Sequence, residues 1–120
     1  MAVAKLGSVV LDCPDPRALA AFYAEILGGT VEDKDPEWVS LTGHPGTPLE
    51  FQLAPDFVPP RWPAGDSSQQ FHLDLTVEDL DAAEKQILAL GAKVLDAADH
   101  SRTWRVYADP AGHPFCLCAC

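Results

Sequence analysis

The sequence has few basic residues, and those it has are scattered along the chain. Lysine and arginine number 8 against 18 acidic residues, which gives a formal net charge of −10. A protein that binds nucleic acid through its phosphates needs clustered Lys and Arg, so this balance argues against a nucleic-acid partner. The chain also lacks any apolar run near the roughly 18 residues that a membrane helix requires, so no membrane partner is expected.

The opening residues lack the basic start and the apolar stretch of a signal peptide, and a cytoplasmic location is therefore expected. Cysteine is sparse, and its 4 positions are Cys13, Cys116, Cys118 and Cys120. Three of these alternate along one C-terminal segment, which is not the spacing of a secreted disulfide framework. We therefore expect thiols, kept reduced in the cytoplasm.

The hydrophobic content indicates a folded domain. The chain has 120 residues, of which 48% are hydrophobic and 22% are charged, and this length supports a core without disulfide or metal staples. The first half predicts a strand, a helix and three strands. Asp15 before Pro16 is typical of a helix start, and Gly28-Gly29 is typical of a helix end. The predicted elements cover residues 6–11, 17–27, 30–32, 38–41 and 49–53.

The second half repeats this order after a proline-rich crossover at residues 54–69. Its predicted elements cover residues 71–77, 80–90, 93–95, 104–107 and 115–120. An offset of 64 places Asp15 on Asp79, and an offset of 66 places Trp38 on Trp104. Such a repeat indicates two related modules. We predict one α+β domain over residues 1–120, with βαβββ modules at residues 5–53 and 70–120.

Five short motifs carry a resemblance to a known family. They are FY at 22–23, LG at 27–28, HLDL at 72–75, VEDL at 77–80 and DPAG at 109–112. With these motifs the sequence resembles the vicinal oxygen chelate superfamily, the group of glyoxalase I, bleomycin-resistance proteins and extradiol dioxygenases. The resemblance implies a glyoxalase-like domain in which the two modules form a curved mixed sheet with an open cup, often completed in a homodimer.

The resemblance also implies four metal-ligand positions, two from each module. They fall on Ser8, Glu50, His72 and Cys116. Glu50 and His72 are the usual ligand types, whereas Ser8 stands where His is common and Cys116 where Glu is common. The implied ligands are therefore Glu50, His72 and Cys116. The cofactor alternatives are none, or a divalent ion of zinc, nickel, manganese or iron.

Further side chains are expected around the same pocket. Alternation places Asp74 on the same face of its strand as His72, and Trp104, Arg105 and Cys118 are the other candidates from the second module. Trp62 lies in a proline-rich loop, where an aromatic ring is suited to cover a ligand or a partner subunit. Glu50 is the candidate proton shuttle of an enzyme.

Three functions remain open at this point. The first is a small-molecule binding protein like the bleomycin-resistance members, for which the acidic charge favours a cationic ligand. The second is a metal-dependent lyase or isomerase of the glyoxalase I type that uses Glu50 and His72. A ring-cleaving dioxygenase fits less well, because Ser8 replaces one of the histidines that iron requires. The third is a metal-free scaffold.

Overall fold

Two units make up the chain in this computed structural model, Met1–Phe57 and Val58–Cys120. The residues described are 2–62 and 68–120, so residues 63–67 of the proline-rich crossover lie outside them. Each unit contains one helix and one four-stranded mixed sheet. The predicted α+β fold of two βαβββ modules is confirmed.

The first unit follows the order strand, helix, three strands. The elements are β1 (Val9–Cys13), α1 (Pro16–Leu27), β2 (Thr30–Asp35), β3 (Trp38–Thr42) and β4 (Leu49–Leu53). The sheet order is β1-β4-β3-β2, with β1 and β4 parallel and the other neighbours antiparallel. The parallel pair arises because α1 returns the chain between β1 and the later strands.

The second unit repeats this topology. The elements are β5 (Leu73–Thr76), α2 (Leu80–Ala89), β6 (Lys93–Asp96), β7 (Trp104–Ala108) and β8 (Pro114–Cys118). The sheet order is β5-β8-β7-β6, again with one parallel pair, β5 and β8. Among the described residues, neither helix combines the length and the apolar character needed to cross a membrane.

Strand ends account for most of the differences from the predicted elements. β1 extends through Asp12, beyond the predicted end at residue 11, because main-chain pairing with β4 continues as far as Cys13 opposite Leu53. β8 stops at Cys118 rather than Cys120, where its pairing with β5 and β7 ends. The intrinsic strand propensity of the residues cannot locate these ends, because hydrogen bonding with a neighbouring strand determines where each strand stops.

Equivalent caps begin the two helices. The Asp15 carboxylate accepts a hydrogen bond from the Ala18 backbone N–H at 3.1 Å, and Asp79 does the same for Ala82 at 3.1 Å. Each bond satisfies one of the four backbone donors that a helix start leaves unpaired. The repeat therefore extends to the local chemistry that starts each helix.

The two helices pack against their sheets in different ways. Five residues of α1 are buried, and Tyr23 stacks on Phe51 of β4 with ring centroids 6.0 Å apart. All ten residues of α2 are described, and Ile87 alone among them is buried. The positions equivalent to apolar Ala20, Val39 and Leu41 of the first unit are, in the second, Glu84, Arg105 and Tyr107.

Gly29 provides a test of the turn that follows α1. Its φ of +93° lies in the left-handed region, and a Cβ added there would overlap the Thr42 backbone carbonyl oxygen. Gly46, with φ +101°, has no atom of the described residues within 4 Å of an added Cβ. Gly46→Ala should therefore lower the free energy of unfolding by about 1 kcal/mol through backbone strain alone, and Gly29→Ala by a further ~1–3 kcal/mol through overlap.

Chemical denaturation of both variants measures this difference directly. Equal losses would show that the Thr42 carbonyl moves aside without cost, contrary to the prediction.

Candidate functional site

Strand register places four chemically active side chains of the second unit on one face of its sheet. Asp74 of β5 pairs with Cys116 of β8, and Cys118 pairs with Trp104 of β7. Side chains two apart in a strand share a face, so these four point to the same side. Arg105, next to Trp104, points to the opposite side, where α2 lies.

A pocket of about 300 Å³ opens on this face. It contains six of the nine side chains that the sequence singled out as pocket residues, and all six belong to the second unit. The lining residues are Trp62, His72, Asp74, Trp104, Cys116 and Cys118.

His72 is held from three directions. The side-chain amide nitrogen of Gln69 lies 3.0 Å from His72 Nδ1 and donates to it. The neutral ring therefore carries its proton on Nε2, which lies 3.1 Å from Asp74 Oδ1. The Trp62 ring stacks on the imidazole, with centroids 4.8 Å apart and planes inclined by 23°. These contacts fix the orientation of the imidazole in the pocket.

Cys116 lies beside these groups as a buried thiol. Burial raises the pKa of Cys116 to about 11, and the nearby negative charge of Asp74 adds to the increase. The donor atoms of His72, Asp74 and Cys116 all lie within 4.8 Å of one another. Imidazole, carboxylate and thiolate together are a donor set that fits zinc, so the residues present are suited to a divalent metal.

Trp104 forms one wall of the pocket, and Arg102 holds its ring in place. The Arg102 guanidinium carbon lies 3.9 Å from the Trp104 ring centroid, within the range of a cation–π contact. Arg102 is itself fixed by Asp96, whose two carboxylate oxygens lie 3.0 and 3.3 Å from its Nη2 and Nη1 atoms. This paired contact limits the freedom of the arginine and, through it, of the indole.

Comparison with known proteins supplies the family. A family model described as a glyoxalase-like domain matches residues 8–118. The chain belongs to the glyoxalase-like family. The predicted resemblance to the vicinal oxygen chelate superfamily is thereby confirmed. No curated protein matches the chain.

Solved structures agree with this assignment at the level of fold. One is a glyoxalase/bleomycin resistance protein/dioxygenase family enzyme from Burkholderia phytofirmans PsJN, with TM-score 0.70 and 20% identity over 95% of this chain and 97% of that one. Another is a possible glyoxalase from Bacillus cereus, with TM-score 0.69 and 15% identity over 98% and 100%. A glyoxalase family protein from Enterococcus faecalis has TM-score 0.66 and 22% identity over 98% and 99%.

Three of the nine predicted pocket residues lie elsewhere in the glyoxalase-like chain. Ser8, half-buried, comes just before β1 of the first unit. Glu50, also half-buried, lies in β4 of that unit, in register with Val10 and Ser40. Arg105 is buried beneath α2, where its Nη2 lies 2.8 Å from the Asp81 carboxylate. Glu50 as a metal ligand or proton shuttle stays a prediction.

The expectation of four thiols is wrong for one pair. Cys118 and Cys120 form a disulfide, with Cα atoms 5.4 Å apart, whereas Cys13 and Cys116 are buried thiols. The chain leaves β8 after Cys118, and this change of direction brings the two Cα atoms within the range that a disulfide spans.

Two contributors to the site were missed from the sequence. Gln69 lies at the end of the crossover and Arg102 in the loop between β6 and β7, and neither belongs to a recognisable motif. The signal for Gln69 was its position three residues before His72. The placement of Arg102 depends on how its loop folds back on Asp96 and Trp104, which no local pattern encodes.

Proposed function

We propose that this glyoxalase-like protein binds a planar cationic small molecule in the pocket of the second unit. The observation that supports this proposal is the lining of the pocket, which contains the indole rings of Trp62 and Trp104 and the carboxylate of Asp74. Aromatic faces attract cations and stack on flat rings. The Asp74 side chain is 65% exposed, so its charge is accessible to a ligand.

Size and overall charge support the same class of ligand. A pocket of about 300 Å³ is at the lower end for small-molecule sites and is suited to a ligand of one or two fused rings. The net charge of −10 raises the local concentration of cations near the protein. This proposal agrees with the bleomycin-resistance part of the name that one structural relative carries.

Binding of N-methylquinolinium, compared with neutral 1-methylnaphthalene of similar shape, tests the proposal by calorimetry. The cation should bind more tightly, and Asp74→Asn should remove most of that preference. Trp104→Ala should weaken cation binding by about tenfold or more, since stacking and cation–π contact are lost. Trp38→Ala is the matched control, because Trp38 occupies the equivalent position in the first unit. Equal affinity for the two probes would contradict the proposal.

A metal-dependent lyase or isomerase is the second candidate. The observation that favours it is the close set of donors at His72, Asp74 and Cys116. A bound divalent ion would polarise the oxygens of a substrate. In this candidate function His72, Asp74 and Cys116 would hold the ion, and Glu50 as a further ligand or proton shuttle stays a prediction of the family resemblance.

Metal analysis of the protein purified without chelator separates the two candidates. Stoichiometric zinc, nickel, manganese or iron that is lost in both His72→Ala and Glu50→Gln would support the enzyme. A metal-free protein that also fails to take up any of these ions on reconstitution would contradict it.

Assembly and location complete the proposal. We propose a cytoplasmic homodimer with small-molecule partners and neither nucleic-acid nor membrane partners. Light scattering should give twice the chain mass of 12.9 kDa. A monomer at all concentrations would contradict the dimer and leave the test of ligand binding intact.

A further inference from the structure

One face of β8 carries a further sulfur atom besides the donor set of His72, Asp74 and Cys116. Cys118 follows Cys116 by two residues on the same strand, and both line the pocket. The sulfur of Cys118 is bonded to Cys120, so it has no coordinating capacity in this state. Breaking that bond would release a second thiol in the pocket that His72, Asp74 and Cys116 also line.

The Cys118–Cys120 bond contributes little as a structural staple. It closes a loop of three residues, and the stabilisation that a disulfide supplies increases with the length of the loop it closes. Cys120 is exposed to solvent, whereas Cys118 is buried. A bond that solvent reaches from the Cys120 side and that restrains so short a segment is suited to reversible reduction.

We propose that the second unit contains a redox-controlled zinc site formed by His72, Asp74, Cys116 and Cys118. With Cys118 in its disulfide the site has three donors. After reduction it has four, one nitrogen, one oxygen and two sulfurs, which is the number and type of ligands that a tetrahedral zinc site requires. This site lies within one unit and excludes Ser8 and Glu50, unlike the four-position set that the family resemblance implies.

The chemistry balances with a dithiol reductant. Its two thiols supply two electrons and two protons, the Cys118–Cys120 bond becomes two thiols, and the reductant becomes a disulfide. Zinc then replaces the thiol protons of Cys116 and Cys118, which are released to solvent. Two thiolates, one carboxylate and a neutral imidazole leave the loaded site with a single negative charge.

Gln69 supplies an independent indication. Its side-chain oxygen is buried and has no hydrogen-bond partner among the described residues, although it belongs to the amide that contacts His72 Nδ1. A histidine that binds metal through Nε2 carries its proton on Nδ1 and needs an acceptor there. Rotation of the Gln69 amide by half a turn presents that oxygen to Nδ1 and satisfies both groups.

Two serine variants test the proposal, because each removes the disulfide and only one removes a ligand. Zinc affinity is measured by competition with a chromophoric chelator, and cobalt substitution reports tetrahedral thiolate ligation by visible absorption. Wild-type protein reduced with a phosphine should bind one zinc, at least about tenfold more tightly than the air-oxidised protein. Cys120→Ser should bind tightly in both conditions, and Cys118→Ser weakly in both.

Three outcomes would overturn the proposal. One is equal zinc affinity in Cys118→Ser and Cys120→Ser. Another is the absence of a Cys118–Cys120 bond from peptide maps of the air-oxidised protein. The third is a tenfold loss of zinc affinity in Glu50→Gln, which would assign the metal to the set implied by the resemblance. Circular dichroism checks that each variant is folded. Binding of N-methylquinolinium is measured on the metal-free protein, so that a failure of the zinc proposal is distinguished from a failure of the proposed ligand binding.

Discussion

Arg105→Ala is expected to lower the free energy of unfolding by about 3 kcal/mol, because it removes the positive charge from a buried ion-pair network. The Arg105 side chain is 4% exposed and lies 2.8 Å from Asp81 and 3.6 Å from Glu84. Glu84 also accepts a 2.6 Å hydrogen bond from the Tyr107 hydroxyl. Without Arg105, Glu84 keeps a largely buried charge with one neutral partner. Urea denaturation measures the loss.

An apolar replacement of the buried members of the network, which leaves the exposed Asp81 in place, is the matched control. The first unit shows that this interface also works with apolar residues, since Ala20, Val39 and Leu41 occupy the equivalent positions. Replacing a buried ionic network by apolar residues of similar volume is often neutral or stabilising. The control variant, which should unfold within about 1 kcal/mol of wild type, combines Arg105→Met, Glu84→Leu and Tyr107→Phe.

The ionic network also predicts a dependence of stability on acid. The hydrogen bond and charge of Arg105 lower the pKa of Asp81 below its usual 3.8. A carboxylate whose pKa is depressed in the folded state contributes stability above its unfolded pKa, and this contribution is lost as the pH falls toward the folded pKa. Wild type should therefore lose part of its stability below about pH 3.8, and the apolar variant should lack this pH-dependent loss.

A decrease in the free energy of unfolding of Arg105→Ala below about 0.5 kcal/mol at neutral pH would show that the network is not coupled to folding.

The fold could be predicted because local chemistry marks where its elements begin and end. Asp15 and Asp79 cap the helices as expected, and Gly28 ends α1. The DPAG turn forms because the Asp109 carboxylate accepts hydrogen bonds from three backbone N–H groups that follow it, at 2.9 to 3.0 Å. Such features require only a few consecutive residues, so the sequence contains them in readable form.

The site was predictable only where alternation along a strand decides it. Asp74 pairs with Cys116 on one face of the sheet, and the pattern indicates this because each is flanked by apolar residues that point the other way. Trp104 and Arg105 are neighbours in β7, so both cannot face the pocket, and α2 supplies the carboxylates that hold Arg105 on its side. The contact of Arg102 with Trp104 depends on a loop that tertiary structure shapes.

Cys116 is expected to react with iodoacetamide about 100-fold more slowly at neutral pH than a thiol with an ordinary pKa, because only the thiolate is nucleophilic. Burial, with the charge of Asp74, raises its pKa from 9.0 to about 11, which is two units and hence a hundredfold less thiolate. The rate constant should increase about tenfold per pH unit and level off near pH 11. Mass spectrometry of the unreduced protein, in which Cys118 and Cys120 are bonded, follows the reaction.

Asp74→Asn separates the two causes of this low reactivity. It removes the nearby negative charge and leaves the burial of Cys116 in place, so the pKa should fall only part of the way and the reaction should become faster. Asp33→Asn, which removes a carboxylate from the first unit, is the control. Cys13→Ser isolates the signal of Cys116 from that of the other thiol. A profile that levels off near pH 9 in wild type, or equal rates in the two Asn variants, would contradict the assignment of Asp74 as the charge that faces Cys116.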